Sequence, residues 1–142
     1  MVPSGSGSVP EARVILATLP GVNLKVLLAD DDRLVRTMLA DLLGDLGHAV
    51  VLAENGAEAL DVCAREEPDV LILDFLMPKL SGLDALQALR DRGVRAPAVL
   101  LTAISDGSFR AVEGAEVVDV LLEKPVTRRS LERALSRATR AH

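Results

Sequence analysis

The chain has 142 residues, the length of one domain, and 49% of them are apolar, which is enough for a substantial core. The net charge of −5 gives no support to a broad nucleic-acid surface, and no apolar run approaches the roughly 20 residues that span a bilayer. A single cysteine excludes an internal disulfide. Together with a start that lacks a signal-peptide pattern, it predicts a cytoplasmic protein outside the membrane.

The first 24 residues differ in pattern from the rest. Residues 1–8 are rich in Gly and Ser, as flexible segments are. Residues 13–19 have the composition of a strand, which Pro20 and Gly21 would end. We therefore expect a flexible N-terminal extension with one extra strand over residues 1–24, and a single domain over residues 25–142.

From Lys25 onward, short apolar strands alternate with amphipathic helices, a pattern typical of βαβ units and a parallel sheet. The third strand is apolar at every position, as expected for a central strand that is covered on both faces. The strands are predicted at residues 26–29, 48–53, 70–73, 98–101 and 120–123.

The first helix has the clearest pattern. Asp32 is a suitable N-cap, and Gly47 follows the helix in a position that favours left-handed backbone. Seven apolar residues at helical spacing are expected to face the sheet: Leu34, Val35, Met38, Leu39, Leu42, Leu43 and Leu46.

The later helices have shorter apolar patterns. The second (57–66) should turn Leu60, Cys63 and Ala64 inward, and the third (83–92) Leu86 and Leu89. Two glycines weaken the pattern over residues 105–116, where we expect a short or loose fourth helix. The last helix begins after Thr127, and its five arginines are interpreted as a solvated face. Its inward residues are predicted to be Leu131, Ala134, Leu135 and Ala138.

Chemically reactive residues follow four of the five strands. Asp30 and Asp31 follow the first strand, Asp74 the third, Thr102 the fourth and Lys124 the fifth. Because the carboxyl ends of parallel strands meet at one edge of a sheet, these side chains should converge. Carboxylates suit Mg²⁺, and an ammonium group suits a phosphate oxygen.

Asp74 is the predicted nucleophile of this set, a carboxylate that would form an aspartyl phosphate. Other chemistries have less support. His48 and His142 lie away from the predicted site, Cys63 is on an apolar helix face, and the chain lacks a Gly-rich phosphate loop with Gly-Lys-Ser/Thr.

These motifs resemble those of the receiver domains of two-component response regulators, over roughly residues 25–140. Asp30-Asp31-Asp32 looks like the acidic motif of that family, and Asp74 to Pro78 with Ser81-Gly82 looks like its phosphoacceptor strand and loop. Leu101-Thr102-Ala103 and Glu123-Lys124-Pro125 match its hydroxyl and lysine motifs. The resemblance implies a flavodoxin-like, three-layer α/β fold, with five parallel strands in the order 2-1-3-4-5 and five helices.

The resemblance also implies a function. A histidine kinase or a histidine phosphotransfer protein would transfer a phosphoryl group to Asp74, assisted by Thr102 and Lys124. The Mg²⁺ ligands would be Asp30, Asp31, Asp74 and the backbone carbonyl of Leu76. The domain would be a signalling module and not an enzyme. Its downstream effector is unknown, its Lys124–Pro125 bond would be cis, and helix 4, strand 5 and helix 5 could form a homodimer.

Some alternatives stay open. An aspartate-nucleophile phosphatase of the haloacid dehalogenase kind would need a second Asp two residues after Asp74, where the chain has Leu76. A degenerate receiver would act only as a docking module. The family usually has an aromatic residue at position 121, and Leu121 predicts a weakly coupled switch. The extension also resembles the end of a kinase ATP-binding domain, as in a hybrid histidine kinase; the other interpretation is an ordinary N-terminal extension.

Overall fold

A computed structural model describes residues 23–103 and 114–140 of the chain. The predicted N-terminal strand and most of the predicted fourth helix lie outside these residues. The described residues form β1 (Lys25–Ala29), α1 (Arg33–Asp45), β2 (Ala49–Ala53), α2 (Gly56–Glu66), β3 (Val70–Asp74), α3 (Gly82–Asp91), β4 (Ala98–Thr102), β5 (Val120–Glu123) and α4 (Arg128–Arg140). A 3₁₀ turn at Ala115–Val117 precedes β5, so the predicted last helix is α4 here.

The five strands form one parallel sheet in the order β2-β1-β3-β4-β5, which confirms the predicted topology. Each predicted strand agrees with the observed one to within one residue at either end. All five residues of the central strand β3 are buried, as its uninterrupted apolar pattern predicted. The fold is therefore the three-layer α/β arrangement expected from the sequence.

The sheet separates two apolar cores. Because side chains alternate across a strand, Leu27 and Ala29 of β1 face one core, and Val26 and Leu28 face the other. The first core lies under α2 and α3, and the second lies under α1 and α4. Among the described helices, none is long and apolar enough to span a membrane.

The ends of α1 agree with the prediction, but its buried face is narrower. The Asp32 carboxylate accepts hydrogen bonds from the backbone N–H groups of Leu34 (2.9 Å) and Val35 (3.3 Å), and Gly47 has a φ of +91°. Leu34 and Met38 were predicted to face the sheet, but they are 82% and 44% exposed. The seven apolar residues cover about 180° of the helix circumference, and a helix on a flat sheet buries a narrower arc.

The inward face of α2 also differs in part from the prediction. Cys63 is buried and Leu60 is half-buried, as expected, but Ala64 is exposed. Ala59 and Val62 are buried with Cys63. The sheet contact of α2 is therefore centred about one residue before the face that the sequence pattern suggested.

The predictions for α3 and α4 are confirmed. Leu86 and Leu89 are buried in α3. The hydroxyl oxygen of Thr127 accepts a hydrogen bond from the backbone N–H of Ser130 at 3.1 Å, which caps α4. The four predicted inward residues of α4 are all buried: Leu131, Ala134, Leu135 and Ala138.

Candidate functional site

The predicted site residues lie at one edge of the sheet. Asp74 and Thr102 are the last residues of β3 and β4, whereas Asp30 and Lys124 directly follow β1 and β5. The backbone N–H of Lys124 donates to the carbonyl of Thr102 at 2.9 Å, which ties the ends of β4 and β5 together. The parallel topology therefore brings the four strand ends to the same rim.

Three carboxylates cluster at this rim. Oxygen atoms of Asp30, Asp31 and Asp74 all lie within 4.8 Å of one another. Asp30 and Asp74 are buried, and Asp31 is exposed. One oxygen of Asp30 accepts a hydrogen bond from the backbone N–H of Asp32 at 2.9 Å, which orients this carboxylate at the start of α1.

Lys124 contacts two of the three carboxylates. Its Nζ lies 3.1 Å from Oδ1 of Asp74 and 3.3 Å from Oδ2 of Asp30. The Asp30 Oδ2 atom is buried, and no described residue gives it a hydrogen bond of good geometry. The Lys124–Pro125 peptide bond is cis, as predicted.

The pKa values reflect this crowding. Burial, and then the negative charge of Asp30, raise the pKa of Asp74 to about 6, and Lys124 opposes this shift. Burial alone would lower the pKa of Lys124, but its hydrogen bond to Asp74 and the charge of Asp30 raise it above its usual value. Lys124 is therefore cationic at neutral pH, and Asp74 is still mostly ionised there.

Three further residues singled out in the sequence differ in their burial and in their distance along the chain from the carboxylate cluster. Thr102 is buried at the end of β4, next to Lys124 in the backbone hydrogen-bond network. Leu76 lies two residues beyond Asp74, with its side chain 70% exposed. Leu121 is half-buried and packs against the core under α2 and α3.

The remaining candidate nucleophiles and bases lie elsewhere. The Nδ1 atom of His48 accepts a hydrogen bond from the backbone N–H of Leu24 at 3.1 Å, before the start of β1. Cys63 is buried in the core, and burial raises the pKa of its thiol. His142 is outside the described residues. Neither His48 nor Cys63 therefore belongs to the carboxylate cluster.

Arg36 is a site residue that the sequence patterns did not indicate. Its Nη1 donates to the backbone carbonyl of Asp30 at 2.8 Å, and its Nη2 lies 3.4 Å from the carboxylate of Glu54. The Arg36 side chain is only 11% exposed. It therefore ties the segment after β1, which carries Asp30, to the end of β2. Its place beside the apolar face of an amphipathic helix was the only signal in the sequence.

The loop after Asp74 packs closely on the backbone. The backbone N–H of Gly82 donates to the carbonyl of Phe75 at 2.9 Å, and the N–H of Phe75 donates to the carbonyl of Leu101 at 2.8 Å. A Cβ atom at Gly82 would clash with the carbonyl oxygen of Asp74. Gly82 therefore allows α3 to begin directly behind the Asp74 backbone.

The donor atoms fit a divalent cation. Three carboxylates face one lysine, and the buried Asp30 Oδ2 has no described hydrogen-bond donor. Oxygen ligands of this kind suit Mg²⁺, which uses one or two carboxylates and keeps several waters. A cation would also relieve the repulsion that raises the pKa of Asp74.

Comparison with protein families gives a match to the response regulator receiver domain over residues 26–136. Among curated proteins, the chain is 40% identical over 116 residues to the response regulator MprA of Mycobacterium tuberculosis, and 40% identical over 114 residues to MprA of Mycobacterium leprae. These alignments cover 82% and 80% of this chain, but 49% of each relative. The chain thus spans about half the length of the curated relatives it matches.

Solved structures give similar matches. The receiver domain of the Francisella response regulator 1452 has a TM-score of 0.75 and 29% identity, covering 84% of this chain and 98% of that chain. Chemotaxis protein CheY4 of Vibrio cholerae has a TM-score of 0.75 and 32% identity, with 80% and 97% coverage. The receiver domain of the Pseudomonas aeruginosa sensor histidine kinase PA1611, with magnesium in its active-site cleft, has a TM-score of 0.74 and 28% identity, with 82% and 98% coverage.

Proposed function

The chain belongs to the response regulator receiver family, and on that premise we propose that Asp74 is its phosphoacceptor. The observation that carries the proposal is the surroundings of Asp74. It ends the central strand at the rim, where Lys124 lies 3.1 Å away and two further carboxylates lie within 4.8 Å. Among the described residues, no other carboxylate both forms the last residue of a strand and contacts a lysine.

In the proposed reaction, a carboxylate oxygen of Asp74 attacks the phosphorus atom of a phosphohistidine. The new P–O bond forms as the P–N bond breaks, and the imidazole leaves with the electron pair of that bond. Because the pKa of Asp74 is about 6, the carboxylate is mostly ionised and nucleophilic at about pH 7.5. In this proposal Lys124 would hold a phosphoryl oxygen, and Thr102 would supply its hydroxyl at the neighbouring strand end.

Asp30, Asp31 and Asp74 would hold Mg²⁺, with the backbone carbonyl of Leu76 as a further ligand. Bound there, Mg²⁺ would offset the negative charge of the carboxylates and of the incoming phosphoryl group. The magnesium in the active-site cleft of the PA1611 receiver supports this choice of cation. Arg36 would hold the Asp30 backbone in position beneath it.

The proposed donor is a histidine kinase or a histidine phosphotransfer protein, acting in the cytoplasm. As a signalling domain, the chain would change its interactions on phosphorylation and would not turn over an external substrate. A homodimer through the fourth predicted helix, β5 and α4 stays a prediction. A receiver within a hybrid kinase is a further context, since a relative of known structure is the receiver of a sensor kinase.

The test is phosphorylation of the full chain by acetyl phosphate with Mg²⁺, followed by intact-protein mass spectrometry. Wild type should gain the mass of one phosphoryl group, and Asp74→Asn should gain none. Asp84→Asn, which changes an exposed carboxylate in the first turn of α3, is the matched control and should behave as wild type. Phosphorylation of Asp74→Asn would refute the assignment. A wild type that takes up no phosphoryl group, even with a kinase, would favour the docking-module alternative.

A further inference from the structure

The last helix carries an unusual concentration of positive charge. Five of the thirteen residues of α4 are arginines, and one is a glutamate, in a chain whose net charge is −5. Arg128 pairs with Glu132 through a contact of 3.9 Å. The other four, Arg129, Arg133, Arg137 and Arg140, are exposed, and none forms an ion pair with another described residue.

These four arginines lie on one face of the helix and are here named the arginine stripe. Their spacing of four, four and three residues keeps them within about 80° of arc over a length of about 16 Å. The opposite face of α4 packs on the sheet through Leu131, Ala134 and Leu135. The stripe is therefore a straight row of exposed arginines on a helix whose opposite face is fixed by the core.

We propose that the arginine stripe docks a short acidic segment of a partner protein. Guanidinium groups bind carboxylates through paired hydrogen bonds, and a row of four can engage several carboxylates at once. Each exposed pair contributes little alone, so binding needs a segment whose acidic residues repeat along one face. Such a partner would connect the domain to its output, and the proposal does not depend on phosphorylation of Asp74.

Other anionic partners fit the surface less well. A membrane-surface helix needs exposed apolar side chains beside its basic face, but the exposed large apolar residues of the described chain all lie outside α4. A nucleic acid would extend beyond the stripe. Beyond the amino end of α4, four residues before Arg128, Lys124 contacts the carboxylates of Asp30 and Asp74. An extended row of phosphates would be repelled there, whereas a short acidic segment would end before that point.

A symmetric dimer that pairs the two arginine stripes directly is also disfavoured, and this is a different contact from the predicted homodimer through the fourth predicted helix, β5 and α4. In a symmetric dimer with α4 at the axis, two arginine stripes would face one another. Only Glu132 of α4 carries the opposite charge, and it already contacts Arg128. Two facing rows of like charges repel, so the partner must supply the carboxylates.

The experiment uses the full chain and an alanine-based helical peptide whose glutamates repeat the spacing of the stripe. Binding is followed at low salt by NMR amide shifts, which should change along α4 and return when salt is raised. The stripe variant Arg129→Gln/Arg133→Gln/Arg137→Gln should raise the dissociation constant about tenfold. The matched control Arg65→Gln/Arg92→Gln/Arg95→Gln removes the same charge from exposed positions outside α4 and should bind as wild type.

Three results would overturn the inference. The peptide could leave the α4 amides unshifted, or the control variant could weaken binding as much as the stripe variant. Alternatively, duplex DNA or phosphatidylserine vesicles could bind more tightly than the peptide. Asp74→Asn should bind the peptide normally, so a failure of this inference and a failure of the phosphoacceptor assignment would be distinguished.

Discussion

Asp74 experiences opposing influences from its neighbours. Burial and the charge of Asp30 favour its protonated form, and Lys124 favours the carboxylate. The net effect is a pKa of about 6, above the ordinary value of 3.8. An ionised Asp74 therefore destabilises the metal-free protein. Raised pKa values of this kind are common at functional sites, in agreement with the proposed cation and phosphoryl site.

Replacement of Asp74 by Asn should stabilise the metal-free protein at neutral pH. A pKa that is raised in the folded state favours folding below about pH 4, and this advantage is lost as the pH rises through about 6. We therefore expect Asp74→Asn to raise the free energy of unfolding by about 1–3 kcal/mol at about pH 7.5 in EDTA, and by much less at about pH 4. Urea unfolding of both proteins at several pH values measures this difference in the free energy of unfolding. A gain that is independent of pH would contradict the electrostatic explanation.

Arg36 is expected to stabilise the segment that carries the acidic pair. Arg36→Ala would remove the donor to the Asp30 carbonyl and leave that oxygen and Glu54 without their cation. The expected loss in the free energy of unfolding is about 1–3 kcal/mol. Arg33→Ala changes an exposed arginine of the same helix and should cost less than about 0.5 kcal/mol. Equal losses in the two variants would show that Arg36 has no special role.

At the scale of elements, two glycines allow a direct comparison. Gly82→Ala would place a Cβ atom in a clash with the Asp74 carbonyl oxygen, so α3 or the end of β3 must move. We expect a loss of about 1–3 kcal/mol in stability and slower phosphorylation of Asp74 by acetyl phosphate. Gly44 is exposed near the end of α1, and a Cβ atom added there would meet no other atom within 4 Å. Gly44→Ala should stabilise the helix by about 0.5–1 kcal/mol. Chemical denaturation of both variants checks that the two changes in the free energy of unfolding have opposite signs.

The order of the elements could be predicted from the sequence because each apolar run is short and ends on a polar residue. The same pattern was enough to predict that Asp30, Asp74, Thr102 and Lys124 share one rim. The buried face of α1 could not be predicted in full. Helical periodicity identifies an arc of apolar residues, but packing against the sheet decides which part of that arc is buried. Leu34 and Met38 were assigned inward for this reason. The role of Arg36 depends on β2, which is a neighbour in space and not in sequence. The local spacing of residues therefore does not reveal this role.

For the whole molecule, divalent cations should increase stability. The carboxylates that would bind Mg²⁺ come from β3 and from the segment after β1, so the site exists only when the sheet is formed. Ligand that binds only the folded state should add about 1.4 kcal/mol when its concentration is about ten times the dissociation constant. Thermal unfolding with MgCl₂, against NaCl of equal ionic strength, measures the effect.

A variant provides the control for the magnesium prediction. Asp31→Asn removes one carboxylate from the cluster but leaves the buried pair, and Asp31 is exposed. The Mg²⁺-dependent gain in stability should therefore shrink, whereas the metal-free fold should be retained. An equal gain in Asp31→Asn, or in wild type with NaCl alone, would contradict a specific site.

The buried thiol of Cys63 can serve as an intrinsic probe of local opening. The chain has no Trp and no Tyr, so intrinsic fluorescence says little about its folding. Its one cysteine is buried in the core under α2 and α3. The raised pKa of the Cys63 thiol keeps this residue unreactive there. A thiol reagent can modify it only when that side of the sheet opens. The labelling rate would then give the free energy of that opening in unmodified protein, separately from the core under α1 and α4.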